Sequence, residues 1–243
     1  MTIWSDIRRR KQMVTGLVAA GGIGLALSAS YVSGVYRPTG PVQTAGSRRA
    51  DQIREQHLPE TLLTDHTGRT VRFYSDLVRG KVVAINFMYT TCSNYCELSS
   101  QNVSRLQAEL GKRLGRDVSL YSISLDPVND TAEALRAYRD AHGAKPGWTF
   151  LSGASVADTT NLRRKLGVYE VDPVLDEDMT QHTGMVLLGN EPTGRWTMVP
   201  ALVNPIRIRQ ALERVLLPAG QWPGGAAVVN EVPREYSTVS EKR

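Results

Sequence analysis

Cysteine is scarce in this 243-residue chain: there are two, Cys92 and Cys96. A single pair leaves three uses open: one structural bridge, one redox switch, or part of a metal site. Histidine is scarce as well, with four in the whole sequence, so few side chains can complete a metal site. A basic folded domain is also missing. The formal net charge is +5, but five of the 29 basic residues and one of the 24 acidic ones precede Ala45. What remains is nearly balanced, which sets nucleic acid aside as a partner. No internal repeat is present.

The early basic residues have their own reading. Arg8, Arg9, Arg10 and Lys11 precede Met13–Tyr36, a run without a charged residue. A basic stretch before an apolar one reads as an export signal or a membrane anchor. The 24 uncharged residues meet the length of about 20 that a bilayer requires. Arginines ahead of the span favour a cytoplasmic N-terminus with the rest of the chain outside, as in a bacterial-type cytoplasmic membrane protein facing the periplasm. The consecutive arginines and Gly-rich apolar core also resemble a twin-arginine signal, in which case the protein is exported and cleaved. Residues 1–36 are thus expected to be an anchor or signal. Residues 37–56, rich in Pro, Gly and Ser at their start, are expected to be a linker. Residues 57–217 form the predicted domain, and 218–243 a loosely ordered tail.

Within the domain, "LLTDHTGRTVRF" reads as a hairpin around Asp65-His66-Thr67-Gly68. "KVVAINFMYT" is a strand buried on both faces. After the cysteines, Leu98, Val103, Leu106, Leu110 and Leu114 fall at helical spacing. "VSLYSISLD" is a second buried strand. "DTAEALRAYRDAHG" is a helix capped by Asp130 or Thr131 and stopped by Gly143. "WTFLSG" is a strand, and a helix capped by Ser155 follows. "TGMVLLGN" and "RWTMVPAL" pair across Glu191–Gly194, and "NPIRIRQALERVL" closes the domain as a helix. This order predicts an α/β fold, a thioredoxin-like mixed sheet flanked by helices.

That placement puts Cys92 at the end of a strand and Cys96 in the first turn of a helix. Residues four apart share a helix face, so both sulfurs can address one object. The positive end of the helix favours thiolate over thiol. Thiolate is both the nucleophile and a soft metal ligand. Two thiolates need a third donor. His57 sits at the domain entrance, His66 in a hairpin turn, and His142 at a helix end. His182 differs, because "QHTGMVLL" puts it on a loop just before a core strand, a position that in a thioredoxin-like sheet can face the tip of the Cys loop. Met179 and Met185 flank it; Met185 reads as core and Met179 as a minor candidate for a thioether ligand.

"FMYTTCSNYC", "SISLDPVNDTAEAL" and "QHTGMVLL", in this order, resemble the SCO/SenC family over about His57 to Leu217. The family comprises membrane-anchored, thioredoxin-like copper proteins that assist assembly of cytochrome c oxidase. The resemblance implies that Cys92, Cys96 and His182 ligate copper, as Cu(I) and in part Cu(II). It implies that Asp126, Pro127 and Asp130 shape the loop beside the site. The implied partners are a cytochrome c oxidase subunit or another cuproprotein as client, a copper donor protein, and the membrane through the N-terminal segment.

The chain departs from the family pattern at three places. Glu97 follows Cys96 where proline is usual, and proline there would fix entry into the helix. Asn94 and Gln181 stand where acidic residues are common. Loss of those carboxylates weakens Cu(II) more than Cu(I), and Glu97 restores part of the charge. The leading expectation is therefore a copper metallochaperone rather than an enzyme. The alternative is a thiol–disulfide reductase in which Cys92 attacks and Cys96 resolves. A peroxidase-like or purely structural module comes last: Thr90 and Thr91 are near the cysteines, but no arginine is close in sequence.

Overall fold

The computed structural model describes residues 45–92, 95–202 and 204–217. The anchor, the first part of the linker, Asn94 and the tail lie outside the described residues. Among the described residues no helix is long and apolar enough to cross a membrane.

Seven strands form one mixed sheet. In chain order they are β1 (Leu62–Asp65), β2 (Thr70–Arg72), β3 (Val82–Met88), β4 (Ser119–Ser124), β5 (Trp148–Gly153), β6 (Met185–Asn190) and β7 (Arg195–Pro200). Their order across the sheet is β2-β1-β5-β4-β3-β6-β7. β3, β4 and β5 run parallel, while β6 is antiparallel to β3 and β1 to β5. Parallel neighbours need crossover helices. These are α2 (Tyr95–Leu110) between β3 and β4, and α3 (Ala132–Ala141) between β4 and β5. α4 (Val156–Lys165), the short α5 (Pro173–Glu177) and α6 (Pro205–Leu216) complete the layers. Both predicted hairpins form, β1–β2 and β6–β7. Gly68 takes a φ of +87° in the first and Gly194 a φ of +62° in the second, a region in which glycine is unstrained.

Two cores lie on opposite faces of the sheet. On one face α2 and α6 bring Val103, Leu106, Ile208 and Leu212 onto Ala84, Met88, Leu120 and Trp148. On the other, α4 and the turn Phe73–Val78 bring Leu162, Phe73 and Val78 onto Val83, Ile85, Phe87 and Ile123. Alternation along β3 explains the split, since successive side chains point to opposite faces. Within the first core runs a buried polar chain. The Trp148 indole donates to Ser122 Oγ at 2.9 Å, and Ser122 donates to Asn86 Oδ1 at 2.7 Å.

Two expectations are corrected here. Residues 45–56 were expected to be linker, yet Ala45–His57 is a helix, α1. The Pro and Gly of that region end at Gly46, and the "SRRADQIREQ" that follows is rich in helix formers. The stripe read on α2 is also misplaced at its ends. Leu98 is 52 % exposed, and Leu114 lies beyond the helix. The buried apolar positions are Cys96, Val103, Leu106 and Leu110, and the polar Ser99, Ser100, Asn102 and Gln107 are buried beside them.

The capping predictions resolve cleanly. Thr131 caps α3 by accepting from Ala134 N at 3.2 Å, and Ser155 caps α4 through Asp158 N at 3.1 Å. Asp130, the other candidate cap, is buried and has different work.

Candidate metal and thiol site

β3 delivers Cys92 to the rim of the sheet. A tight turn follows the strand, with Cys92 N donating to Tyr89 O at 3.2 Å. α2 begins at Tyr95, so Cys96 is its second residue. The two cysteines form a disulfide, with Cα atoms 5.7 Å apart. Cys96 N donates to Cys92 Sγ at 3.3 Å. The sulfur thus takes one of the amides that a helix leaves unpaired at its start, and the same amide favours negative charge on that sulfur after reduction. The two sulfurs are not equivalent. Cys96 is fully buried, whereas Cys92 is half-buried.

Asp130 braces this turn. Its carboxylate accepts from Thr90 N at 3.1 and 3.2 Å and from the Thr90 hydroxyl at 2.5 Å. It also accepts from Ser124 Oγ at 2.6 Å. Asp130 N donates to Asp126 O at 2.9 Å, and Asp126 N donates to Ser124 Oγ at 2.9 Å. The Asp-Pro segment therefore acts as a brace on the residues just before Cys92. Thr90 spends its hydroxyl on that brace, which removes the support a peroxidatic cysteine would use.

His182 enters the same rim from the other direction. β6 pairs antiparallel with β3, with Asn86 opposite Val186, so the residues before Met185 and those after Met88 share one end of the sheet. His182 closes the turn Met179–His182 and is buried. Arg163 Nη1 lies 3.3 Å from its Nδ1, and its Nε2 lies 3.0 Å from Asp176 O. An arginine can only donate and a carbonyl can only accept. The pattern therefore puts the ring proton on Nε2. Both ring nitrogens face Arg163 and Asp176, on the α4 side. Among the described residues no three His, Cys, Asp or Glu side chains are gathered so as to hold a metal. In this disulfide form the structure joins Cys92 to Cys96 and holds the His182 ring in a separate cage.

That cage escaped the sequence reading. Asp176 accepts from Arg163 Nη1 at 2.6 Å, Arg164 Nε at 2.8 Å and Glu170 N at 2.9 Å. The Arg163 hydrogen bond, more than burial can oppose, holds its carboxyl far below the usual carboxylate range. Arg163 is itself buried and also donates to Val168 O at 2.7 Å. A cleft of about 340 Å³ opens beside it, lined by Leu125, Asp126, Thr159, Arg163, Met179 and His182. Met179 stands partly exposed at this cleft, and Met185 is half-buried at the head of β6.

The other histidines are placed elsewhere. His57 bonds to Lys165 O at 2.9 Å, and His66 Nδ1 accepts from Phe150 N at 3.3 Å. Burial, then the nearby Arg139 charge, lowers the His66 pKa. His142, a helix-end residue by sequence, caps α3. Its ring, however, reaches the residue after Cys96: Nε2 lies 3.2 Å from Glu97 Oε2. The Gln101 hydrogen bond and the neighbouring His142 hold the Glu97 carboxyl below its ordinary pKa. The only signal in the sequence was the departure at Glu97 itself.

A mixed sheet with parallel centre, crossover helices and a cysteine pair at the head of the first of them defines a thioredoxin-like protein of the Sco type. Residues 50–217 match the SCO1/SenC family model, and the chain belongs to that family. A candidate copper-binding protein of Stutzerimonas stutzeri is 25 % identical over 115 residues, 47 % of this chain and 54 % of its own length. An SCO1 homologue of Bacillus subtilis is 26 % identical over 121 residues, 49 % of this chain and 61 % of its own. The chain thus spans little more than half the length of these relatives. Among solved structures, a SCO1/SenC family lipoprotein of Bacillus anthracis superposes with a TM-score of 0.55 at 24 % identity, covering 67 % of this chain and 96 % of that one. BsSco, a member of the Sco family of cytochrome c oxidase assembly proteins in which a disulfide switch was identified, gives 0.53 at 23 %, covering 65 % and 92 %. Both likenesses concern the fold.

Proposed function

We propose that this protein is a copper metallochaperone that carries its cargo on Cys92, Cys96 and His182. The observation that carries the reading is the cysteine pair at the head of α2, joined by 5.7 Å between Cα atoms in a SCO1/SenC domain. Two thiolates and an imidazole form a soft donor set that suits Cu(I). Zinc in a closed structural site takes a fourth ligand, and the described residues supply none at this rim. The candidate copper-binding relative and the Sco-type fold support the same cargo.

Loading begins with two-electron reduction by an external dithiol, which leaves as its own disulfide, because the sulfurs of a disulfide are not thiolate ligands. The Cys96 amide then stabilises the Cys92 thiolate. His182 leaves Asp176 O and the Arg163 guanidinium to join the sulfurs. Delivery proceeds by exchange of one ligand at a time for those of a client. The client is cytochrome c oxidase or another exported cuproprotein. The basic, apolar N-terminal segment and the lipoprotein relative support a domain held outside the cytoplasmic membrane.

A second role is favoured by the unequal burial of the sulfurs. The accessible Cys92 thiolate attacks a client disulfide and forms a mixed disulfide, releasing one client thiolate. The buried Cys96 thiolate then attacks Cys92 Sγ, which releases the second client thiolate and restores the Cys92–Cys96 bond. The client gains two electrons and the protein loses two.

Titration of the reduced protein and of His182→Ala with Cu(I) and Cu(II) tests the proposal. The expected result is one copper per chain and at least a tenfold weaker Cu(II) site in the variant. Unchanged affinity in the variant, with normal thiol exchange, would overturn the metallochaperone reading.

A further inference from the structure

α2 carries a second stripe, and it is polar. Glu97, Ser100, Ser104 and Gln107 recur at spacings of three, four and three, which places them on one helix face. Each meets the C-terminal end of α3 or the turn after it. Glu97 Oε2 lies 3.2 Å from His142 Nε2. Ser100 Oγ lies 3.0 Å from Tyr138 Oη. Ser104 Oγ donates to His142 O at 3.4 Å. Gln107 donates to Gly143 O at 3.1 Å and accepts from Lys145 N at 2.8 Å. The His142 ring is itself fixed. Its Nδ1 donates to Tyr138 O at 2.9 Å, and it stacks on the Tyr138 ring with centroids 4.1 Å apart. With Nδ1 given to Tyr138 O, Nε2 is the ring atom that meets the Glu97 carboxylate. The stripe bolts the whole length of α2 to α3, and its first bolt is the residue that follows Cys96.

From this we infer that the Glu97–His142 bond is a positioning device for Cys96, and that it does in this chain what a proline after the second cysteine would do. A proline fixes the first turn through its own ring. Here Glu97 fixes the same turn from outside, by a tether to a histidine that burial and stacking hold still. Gln101 adds a second hold on the same carboxylate at 2.9 Å. The first turn sets where the Cys96 amide and sulfur stand relative to Cys92 Sγ. Glu97 and His142 touch neither sulfur and act through the backbone between them. The inference rests on the reading of Cys92 and Cys96 as the working pair.

The experiment measures, on the full chain, the equilibrium of the cysteine pair with reduced and oxidised glutathione, and Cu(I) affinity by competition. The proteins are wild type, Glu97→Ala, His142→Ala, the double variant, and Glu97→Pro/His142→Ala. Loss of a hydrogen bond of ordinary strength corresponds to roughly three- to tenfold in an equilibrium constant. The tether is present with the disulfide formed, so both single variants are expected to shift the thiol equilibrium away from the disulfide by that factor and to weaken Cu(I) similarly. The double variant should be no worse than either single one, because all three break the same tether. Glu97→Pro in the His142→Ala background should recover the wild-type values. A through-space charge effect gives a different pattern: Glu97→Ala and His142→Ala then move the equilibrium in opposite directions. That result, or additive losses, or failure of proline to rescue, would overturn the inference. A wild-type protein that neither binds copper nor exchanges with glutathione would instead overturn the reading of the site. Circular dichroism checks that each variant is folded, and proline rescue separates positioning from a general loss of packing.

Discussion

Asp130 holds Thr90 by three hydrogen bonds, two to its amide and one to its hydroxyl, forty residues away in sequence and two residues before Cys92. The cysteine turn is therefore set by the loop after β4 as much as by its own strand.

Asp130→Ala is expected to leave the Thr90 amide and Ser124 hydroxyl without their acceptor. Removing one partner of a buried hydrogen-bonded group costs about 1–3 kcal/mol. Urea denaturation should show that loss. Cu(I) affinity should fall alongside, since the turn that presents Cys92 loses its brace. Asp130→Asn, which keeps one acceptor oxygen, should fall between.

The two cysteines should behave differently toward a bulky thiol reagent. Cys96 is wholly buried and Cys92 is not. In the reduced protein, alkylation is expected to modify Cys92 first, by an order of magnitude or more in rate, as judged by peptide mass spectrometry. Cys96→Ser, in the reduced form, should trap a mixed disulfide with a disulfide-bearing client, and Cys92→Ser should not. Equal labelling of both sulfurs would remove the assigned division between attacking and resolving thiols.

Arg163→Met tests the cage around His182. The change leaves Asp176 buried with Arg164 as its remaining charged partner. Breaking a buried pair from one side costs about 3–5 kcal/mol, and the surviving Arg164 bond places the expected loss at the lower end. Chemical denaturation measures it. The same variant frees His182 Nδ1, so Cu(I) binding by the folded fraction should persist.

Asp65 supplies a pH dependence. It is buried in the first hairpin turn and accepts from Thr67 N at 2.8 Å and Arg69 N at 3.1 Å. Burial alone would push its carboxyl up, but these bonds, with those of the Thr67 hydroxyl and the Arg69 side chain, hold it below its ordinary value. A carboxyl lowered by folding stabilises the fold above its unfolded pKa, about 3.9, and loses that effect as pH falls through its folded value. At pH 7, Asp65→Asn should cost about 1–3 kcal/mol. The gap between variant and wild type should shrink below pH 4. Arg69 is 76 % exposed, and its ion pair contributes little of this, so raised salt should leave the gap nearly unchanged.

Local chemistry was legible in the sequence. The hairpin turns announced themselves through Gly68 and Gly194, the caps through Thr131 and Ser155, and the central strands through unbroken apolar runs. The cysteine pair at the head of α2 followed from the same signals. What was hidden depends on pairs far apart in the chain. Arg163 follows Leu162 on α4 in a run of three cations, and only its meeting with Asp176 across the loop shows it buried. His142 reads as the end of α3, and its approach to Glu97 needs the packing of two helices. Asp130 is a plausible cap until β4 and β3 lie side by side. Helix α1 was missed for another reason: its polar composition carries no apolar stripe, and propensity alone is a weak signal.

The Trp148–Ser122–Asn86 chain has a consequence for how the sheet comes together. It crosses β5, β4 and β3 at one level, within an otherwise apolar face. A slip of β3 against β4 by one residue would turn Asn86 to the opposite core and strand the Ser122 hydroxyl. Apolar strands such as these tolerate many alignments on hydrophobicity alone. The polar chain makes one alignment cheaper than its neighbours, and so selects, during folding, the pairing that brings Cys92 to the rim.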